Sequence, residues 1–560
     1  MAVQNPVREI ASPLKSSSLP EPSLLPQRAM AMADAHRHLL FLAVGMLYLV
    51  SFNGQWRVER DSALYLSIGH NLAAGEGYTY QGQPHHLAFP GLPLLFAGLF
   101  RLFRTESVLP ALIVMLLMGF AIMGLMYRLF LLHAGRPTAV LMTAGLGVTR
   151  VFHRYCFELL SDLPFLLGVM AFFCGYEAIF HRRRTDDDPL TDTPPDKTLG
   201  YARPHARARA RWFDWIFLIG GFALAVAMRP AMWVLLAAIG LAVLWSLVAG
   251  AMRGKLNWGH LLIGLAVAAA TLLFLWIDPR SNNSRSLPQY EDYFLHWRFA
   301  HLSEVFNEMV HQNVPELFKY GVLGKAMFGC SMVGFNYVAG AIVVGLSFWL
   351  LTVRPLWGIW ALLTLAMLMV FKPLDRYVLP IVPLLIYGWW RFLCWLHDQL
   401  PARWGKYVVA GLFIGGACTN IARMSETIFE QRRVPFLAHY REGRYAAMTQ
   451  VADLLRSQTP RSAIVLVQPK VGRIMTYLSR RWAMEPGMQG QIDPATQEVY
   501  LLTGPSWEES KPQSRIEPSA PPPSAPAWVK DHNYHLSSQI GREIQAPTDR
   551  EAWRLFRVLP

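Results

Sequence analysis

Charged residues are scarce in this sequence. Asp, Glu, Lys and Arg make up 16% of its 560 residues, while 53% are hydrophobic, and a soluble domain carries about 25% charged residues. Residues 107–127, 231–251 and 326–353 contain no charge at all. Uncharged apolar stretches of about 18 residues or more are typical of transmembrane helices, because a backbone in lipid must satisfy its own hydrogen bonds. The composition therefore argues against a soluble protein and for a polytopic membrane bundle.

Cysteine pairs and nucleotide-binding motifs are also lacking. The five cysteines form no C-x-x-C, so neither a disulfide framework nor a cysteine zinc site is expected. The sequence contains no P-loop and no G-x-S-x-G nucleophile elbow, which argues against a nucleotide-driven cytoplasmic enzyme. His85 and His86 are adjacent, a poor arrangement for holding one ion. No metal is predicted, although a divalent metal stays an open alternative.

Positive charge exceeds negative charge, with 52 Lys and Arg against 38 Asp and Glu, for a net charge of +14. No nucleic-acid-binding motif accompanies this excess, so the basic residues are interpreted as determinants of membrane topology that face anionic lipid. They concentrate in the segment 181–211 and in three short turns. We therefore expect a multi-pass protein of a bacterial-type cell (inner) membrane, with the N-terminus cytoplasmic and the C-terminal tail outside.

The predicted fold is an all-α polytopic membrane bundle with a small α/β C-terminal domain outside the membrane. Residues 1–36 are rich in Pro and Ser and are predicted to be a disordered cytoplasmic segment. Residues 37–421 form the transmembrane domain and residues 422–560 the outer domain, with a Pro-rich insert at 509–527. The apolar pattern places about eleven transmembrane helices near 38–55, 107–127, 137–150, 159–180, 212–228, 231–251, 258–277, 329–352, 355–371, 377–396 and 406–421. In the tail, helices are expected at 445–456 and 472–480, and strands at 463–467 and 498–502.

Acidic residues stand at the start of two outer segments. The first outer loop, residues 56–105, contains an amphipathic helix that begins near Asp61, where a carboxylate serves either as a helix cap or as a functional acid. Glu158 and Asp162 are four residues apart and are expected to share one helical face. They form either an acidic cluster at a polar cavity or an ordinary helix start. A second outer loop spans residues 278–328.

Basic residues stand in two turns that the helix count places on the same outer side. Arg229 lies in a two-residue turn, and Lys372 and Arg376 lie in the turn before the tenth predicted helix. Basic residues on the outer side oppose the usual charge bias, so these turns suggest a binding site for an anion such as phosphate. The alternative is snorkelling to lipid headgroups. A carboxylate on this face could act as a general base, and the cations could stabilise a phosphate leaving group.

Short motifs on this outer side share a common pattern. They are R-D-S-A-L-Y at 60–65, G-E-G-Y at 75–78, P-G-L-P-L-L at 90–95, L-S-D-L-P at 160–164, R-P at 229–230 and D-R-Y-V-L-P-I-V-P at 375–383. In order and in membrane side they resemble the GT-C membrane glycosyltransferases, and more narrowly the branch of the protein mannosyltransferases and the lipid A aminoarabinose transferase. One departure is Ser62, which follows Asp61 where the family often has a second acid.

The resemblance implies a glycosyltransferase that moves a hexose or pentose from a polyprenyl-phosphate donor to a lipid, glycan or protein acceptor on the outer face, with inversion at the sugar carbon. It implies that Asp61 is the general base and that Asp162, or alternatively Glu158, positions the acceptor or donor. It further implies that two arginines bind the donor phosphate and that two neighbouring residues support them. These four residues are Arg229, Arg376, Lys372 and Tyr377.

Two functions from other classes compete with this interpretation. A transporter or flippase for a lipid-linked substrate would also need many helices, but transporters favour internal repeats and charges near the bilayer centre. The sequence shows no such repeat, and its candidate charges lie at helix ends. A non-catalytic membrane scaffold is the third alternative.

Overall fold

The fold is mostly helical. A computed structural model describes residues 32–85, 88–186, 212–252, 258–277, 301–329, 332–371, 373–432, 444–467, 471–484, 498–503, 535–536, 539–544 and 553–559. Each of the eleven predicted transmembrane segments contains a helix. In chain order these are α1 (Arg37–Ser51), α4 (Leu109–Leu131), α5 (Arg136–Gly147), α7 (Asp162–Asp186), α8 (Trp212–Met228), α9 (Met232–Met252), α10 (Trp258–Ile277), α14 (Val333–Val353), α15 (Pro355–Val370), α17 (Val382–Gln399) and α18 (Ala402–Arg432).

Five of the described helical stretches are long and apolar enough, by length and composition, to cross a membrane. They are Leu109–Leu131, Asp162–Ile179, Gly334–Val353, Asp375–Gln399 and Tyr407–Phe429. The remaining apolar helices are shorter, with 10–17 residues in their apolar stretches. A polytopic helical bundle is thus confirmed, whereas eleven membrane crossings and the orientation of the termini stay predictions.

The first outer loop folds into two helices and a hairpin. Helix α2 (Arg60–Ala74) is the expected amphipathic helix, strands β1 (Thr79–Tyr80) and β2 (Gln83–Pro84) form the hairpin, and α3 (Gly91–Phe103) follows. Helix α3 was not predicted, because Gly91 and Pro93 resemble a turn. Proline is tolerated in the first turn of a helix, where its missing N–H has no partner to lose.

Short helices lie between several of the longer helices. Helix α6 (Arg150–Tyr155) precedes α7. The described part of the second outer loop contains α11 (Leu302–Glu308), a π-helix (Met309–Asn313), α12 (Val314–Phe318) and α13 (Val322–Phe328). Helix α16 (Asp375–Val378) and a 3-10 turn (Leu379–Ile381) lead into α17. Residues 278–300 of the predicted loop lie outside the described residues.

Glycines bring α7 and α8 into close contact. A Cβ atom at Gly168 would lie 2.6 Å from the backbone nitrogen of Ala225, and one at Gly221 would lie 2.5 Å from that of Phe172. Small residues at such positions let membrane helices approach closely and gain van der Waals contact. This packing sets the start of α7, which is Asp162, beside the end of α8, which precedes Arg229.

Helix α18 continues beyond its predicted end at 421 and reaches Arg432. Residues 422–432 contain neither Gly nor Pro and include several strong helix formers, so helix propensity persists beyond residue 421. The predicted end at 421 was therefore too early, since the apolar stretch of this helix continues to Phe429. The boundary between the two predicted domains stays a prediction.

The tail forms a mixed sheet with two helices. Its elements are α19 (Arg444–Gln458), β3 (Ile464–Leu466), α20 (Gly472–Ser479), β4 (Trp482–Met484), β5 (Val499–Thr503), β6 (His535–Leu536), β7 (Ile540–Ile544) and β8 (Trp553–Leu559). The strand order is β4-β3-β5-β8-β6, with β7 also paired to β8. Strand β3 runs parallel to β4 and β5, whereas β8 is antiparallel to its neighbours. This matches the small α/β domain expected from the sequence, although β4 and the last three strands were not predicted. The predicted insert at 509–527 lies outside the described residues.

The hairpin of the first outer loop docks onto this tail. The side chain of Gln81 donates hydrogen bonds to the carbonyl of Ala483 and to the hydroxyl of Thr476. Gly82 has φ +70° and lies so close to the indole of Trp482 that an added Cβ would overlap it. Trp56 packs edge-on against Tyr477 with ring centroids 5.2 Å apart. The tail therefore packs against the same loop that carries Asp61.

Candidate functional site

Asp61 lies between two arginines from distant parts of the chain. Its Oδ2 accepts a hydrogen bond from Nη2 of Arg376 at 2.9 Å, and its Oδ1 accepts one from Nη1 of Arg473 at 2.8 Å. Arg376 belongs to α16 in the bundle, whereas Arg473 belongs to α20 in the tail. The Asp61 side chain remains 35% exposed. One carboxylate thus joins the helical bundle to the tail and is still open to solvent.

The position of Asp61 in the first turn of α2 does not make it a helix cap. The N-cap residue is Glu59, and within the described part of the chain no side chain caps this helix end. A carboxylate in the first turn is nevertheless favoured by the helix dipole. Both oxygens of Asp61 bind arginines, and its role as a functional acid stays a prediction.

The arginines control the ionisation of Asp61. Burial alone would raise the pKa of this carboxyl, but Arg376 and Arg473 outweigh burial and hold the pKa below its usual value. The pKa of the neighbouring Glu59 shifts in the opposite direction, because burial and the charge of Glu158 raise it. Two nearby carboxyls are therefore driven apart in acidity, a pattern found at catalytic sites.

A second ion pair forms where the ends of α7 and α8 meet. Nη1 of Arg229 donates to Oδ1 of Asp162, so the side chain of Asp162 binds a cation at the helix start. Tyr377 lies between the two predicted phosphate-binding arginines. Its ring centroid is 4.7 Å from Cζ of Arg229 and 5.0 Å from Cζ of Arg376, and its hydroxyl accepts a hydrogen bond from Arg376 at 3.1 Å. Two cations therefore meet at one aromatic ring.

Glu158 is buried and does not share a helical face with Asp162. Helix α6 ends at Tyr155 and α7 begins at Asp162, so Glu158 lies in the turn between them and the four-residue spacing has no helical meaning. The expectation of a common face was therefore wrong. The Glu158 side chain is only 2% exposed, and its Oε1 accepts from Arg154 at 2.7 Å and from Arg57 at 3.2 Å.

Asp375 connects Glu158 to the rest of the site. Its Oδ1 accepts from the hydroxyl of Tyr155 at 2.8 Å and from the backbone N–H of Arg376 at 2.9 Å, and its Oδ2 lies 3.9 Å from Arg154. We call the connected set the rim network. Its members are Arg57, Asp61, Arg154, Tyr155, Glu158, Asp162, Arg229, Asp375, Arg376, Tyr377 and Arg473.

The rim network contains six of the seven residues that the sequence singled out. Lys372 lies outside the described residues. Every carboxylate in the network is bound to arginine, and among the described residues no group of three or more His, Cys, Asp or Glu side chains is placed to hold a metal ion. The predicted roles of these residues stay predictions.

Sequence reasoning missed several members of the network. Arg57 and Arg154 lie next to the recognised acidic motifs, so their positions in the sequence could have predicted that they pair with those acids. Asp375 was recognised as part of a motif, but its contacts with Tyr155 and Arg154 were not predicted. Arg473 had no local signal, because it is one of many basic residues in the tail and its proximity to Asp61 arises only from domain docking.

A polar cleft of about 280 Å³ lies where the tail meets the first outer loop. It lies between the beginning of α4, the first outer loop and the tail, and its lining includes Trp56, Glu106, Arg456, Tyr477 and Arg480. Tyr477 follows Arg473 by one turn of α20, which is about 6 Å along the helix. The cleft is therefore lined in part by the same tail helix that carries Arg473.

No protein-family model matches the sequence, and no curated protein matches it. Solved structures match its fold. The crystal structure of ArnT from Cupriavidus metallidurans bound to undecaprenyl phosphate has a TM-score of 0.50 at 13% sequence identity, over 93% of this chain and 97% of that chain. The Archaeoglobus fulgidus oligosaccharyltransferase tethered with an acceptor peptide containing the NVT sequon has a TM-score of 0.52 at 11% identity, over 84% of this chain and 69% of that chain.

Both matched proteins are GT-C glycosyltransferases. At such low identity the likeness concerns the fold, and it extends over both the bundle and the tail because the first match covers nearly all of each chain. The chain therefore has the fold of the GT-C membrane glycosyltransferases, in agreement with the resemblance of its motifs.

Proposed function

We propose that this protein is an integral membrane glycosyltransferase that moves a sugar from a polyprenyl-phosphate donor to an acceptor, with inversion at the sugar carbon. The observation that carries the proposal is the pairing of Asp61 with Arg376, next to Arg229 and Tyr377. A carboxylate that can accept a proton then lies beside two cations that can bind phosphate. The fold supports the proposal, because one solved protein with this fold was crystallised with undecaprenyl phosphate.

In the proposed reaction the acceptor oxygen attacks the anomeric carbon while the bond between that carbon and the phosphate oxygen breaks. The leaving oxygen takes the bonding electron pair and becomes part of a polyprenyl phosphate, whose added charge Arg376 and Arg229 stabilise. The acceptor proton passes to Asp61. One displacement from the opposite face inverts the configuration of the sugar.

Donor binding would also change the basicity of Asp61. Arg376 holds the pKa of this carboxyl down, and a carboxylate with a low pKa is a weak base. A phosphate that draws Arg376 away from Oδ2 weakens this influence, so the base gains strength only when the donor is present. Nε of Arg376 is buried without a hydrogen-bond partner among the described residues, which leaves the guanidinium capacity for a further acceptor.

Asp162, Glu158 and the neighbouring aromatic residue have supporting roles in this proposal. Asp162 holds Arg229 in place by an ion pair, so its role is to position the donor phosphate. Glu158 binds Arg57 and Arg154 and is buried, which suits a structural role better than contact with substrate. Tyr377 orients both arginines, and Lys372 is proposed to add a further cation in the same turn.

The test is turnover of a lipid-linked sugar by purified protein in lipid nanodiscs. Undecaprenyl-phosphate sugars are supplied one at a time with a membrane-lipid extract as acceptor, and mass spectrometry follows the release of undecaprenyl phosphate and the glycosylated product. We expect release with at least one sugar, and loss of release in Asp61→Asn. Glu426→Gln is the matched control, because Glu426 is an exposed acid of α18 that pairs with its helix neighbour Arg423 and does not belong to the rim network.

Proteoliposomes separate this proposal from transport. If labelled donor crosses the bilayer and no glycosidic bond is formed in any reaction, the protein is a transporter and the proposal is wrong. If neither movement nor transfer occurs with a broad panel of lipid-linked sugars, the scaffold alternative gains support.

A further inference from the structure

The two oxygens of Asp61 bind arginines that belong to different domains. Oδ2 faces Arg376 in the bundle and Oδ1 faces Arg473 in the tail, at 2.9 and 2.8 Å. The two ion pairs are equally short, but their surroundings differ. Arg376 lies beside Tyr377 and near Arg229, whereas Arg473 lies on the helix of the tail that faces the first outer loop.

We propose that Arg473 is a positioning residue for the general base, so that the tail forms part of the catalytic site. The inference rests on the proposed function, in which the donor phosphate takes over Arg376. Oδ2 is then released toward the acceptor hydroxyl, while Oδ1 stays bound to Arg473. A base that is oriented by a third group is a recurring arrangement in enzymes.

The tail helix is fixed well enough to hold Arg473 in this position. One turn after Arg473, Tyr477 packs on Trp56, and Trp56 donates a hydrogen bond to Ser62 on α2 at 3.0 Å. Thr476 is tied to the hairpin through Gln81. The helix that carries Arg473 and the helix that carries Asp61 therefore share packing contacts in addition to the ion pair.

The charged and titratable groups around Asp61 come from four elements. Arg473 comes from the tail, Arg376 from α16 and Arg229 from the turn after α8. The fourth element is α2, which contains Tyr65 and is preceded by Glu59. Loss of Arg473 removes a cation that lowers the pKa of Asp61, so this pKa must rise. The fraction of ionised base at a given acidic pH then falls, and the acidic limb of the rate profile moves to higher pH.

The primary experiment measures Asp61 without relying on turnover. Full-length protein in nanodiscs is treated with a carbodiimide and glycine ethyl ester across a pH series, and mass spectrometry quantifies labelling of the peptide that contains Asp61. Carbodiimides react with the protonated carboxyl. We expect the labelling midpoint to move to higher pH in Arg473→Gln and to return toward wild type in Arg473→Lys.

Arg461→Gln is the matched control, because Arg461 is an exposed arginine of the tail that pairs with Glu76 of the same outer loop at 4.0 Å. Its labelling midpoint should equal that of wild type. Greater access to Asp61 alone changes the amplitude of labelling and leaves the midpoint in place. An unchanged midpoint in Arg473→Gln overturns the inference, whether or not the protein transfers sugar.

Kinetics then separate positioning from donor binding. In Arg473→Gln we expect kcat to fall by about 10-fold to 100-fold near pH 5, as for other displaced catalytic groups, with partial recovery at pH 8 and an unchanged KM for the lipid-linked donor. A raised donor KM with an unchanged kcat would contradict a positioning role. Complete absence of transfer in wild type sinks the proposed function alone, because the labelling result stands independently.

Discussion

The rim network and a second set of ionic groups lie at opposite ends of the same helices. The second set, here the opposite-end cluster, consists of Arg128, His133, Glu177, Asp214 and Arg354. Helix α7 carries Asp162 at its start and Glu177 fifteen residues later, and Asp214 in α8 is likewise fifteen residues before Arg229. At 1.5 Å per residue each pair is separated by about 22 Å. The two sets therefore belong to opposite ends of the bundle.

The two sets use similar ion pairs in different surroundings. Arg128 binds Asp214, which is fully buried, and Glu177 lies 3.2 Å from Nε2 of His133 and 3.6 Å from Nη1 of Arg354. Asp61 in the rim network remains partly exposed and binds an arginine from the tail. A buried ion pair by itself thus does not indicate a site. Solvent access to Asp61 and an arginine supplied by the tail distinguish the rim network.

Of all the variants at the two ends of the bundle, Asp61→Asn should reduce sugar transfer the most. Asp61→Asn keeps the shape of the side chain but removes the base, so sugar transfer should fall by about 10²-fold to 10⁴-fold. The thermal unfolding midpoint should fall only slightly, because the side chain is partly solvated and the single Asn oxygen still accepts one of the two arginine hydrogen bonds. Product formation and intrinsic fluorescence on heating measure the two effects. Retention of full transfer in well-folded protein would eliminate Asp61 as the base.

The opposite-end cluster should respond in the reverse manner. Asp214→Asn leaves Arg128, whose side chain is 33% exposed, without its charged partner, which costs about 1–3 kcal/mol of stability. We expect a lower unfolding midpoint and a lower yield of monodisperse protein, with normal transfer per folded molecule. The double variant Arg128→Met with Asp214→Leu should recover most of the stability, since apolar residues can replace a buried pair. A selective loss of transfer in stable protein would make this cluster functional after all.

Binding of the lipid donor should depend on the rim network and not on the opposite-end cluster. Arg376→Gln removes a charged hydrogen bond to phosphate, which contributes about 1.5–3 kcal/mol, so binding of undecaprenyl phosphate should weaken by about 10-fold to 100-fold. Native mass spectrometry of protein titrated with this lipid gives the dissociation constant. Arg354→Gln removes an arginine from the opposite-end cluster and should leave lipid binding unchanged. Equal weakening by both variants would mean that the lipid binds by general attraction to positive charge.

Much of the rim network could be predicted from sequence because helix count fixes the side of each motif. Once apolar stretches are counted, Asp61, Asp162, Arg229 and Arg376 fall on one side of the bundle. Their ion pairs then follow from the scarcity of other charge partners near lipid. The fold class could be predicted for the same reason, since apolar stretches of this length have few alternatives.

Other features could not be predicted because they depend on shape. Glu158 lies outside a helix because α6 ends at Tyr155. The four-residue spacing of Glu158 and Asp162 does not reveal that end. Arg473 reaches Asp61 only because the tail docks on the first outer loop. That docking depends on a glycine fitting against an indole, and neither residue carries a signal for the other in the sequence.

The smallest expected effect comes from loosening the docked tail, and it should reach the rim network but not the opposite-end cluster. Gly82 has φ +70° and an added Cβ would overlap Trp482, so Gly82→Ala forces the hairpin and β4 apart at a cost of about 1–3 kcal/mol. Amide hydrogen exchange in β4 should accelerate and transfer should fall modestly, because Arg473 is then held less firmly against Asp61. The opposite-end cluster should exchange as in wild type. Gly98→Ala is the matched control, since a Cβ at Gly98 in α3 meets nothing within 4 Å. If Gly82→Ala speeds exchange in β4 but leaves transfer intact, the rim network functions without the tail, and the difference between the two ends reduces to solvent access alone.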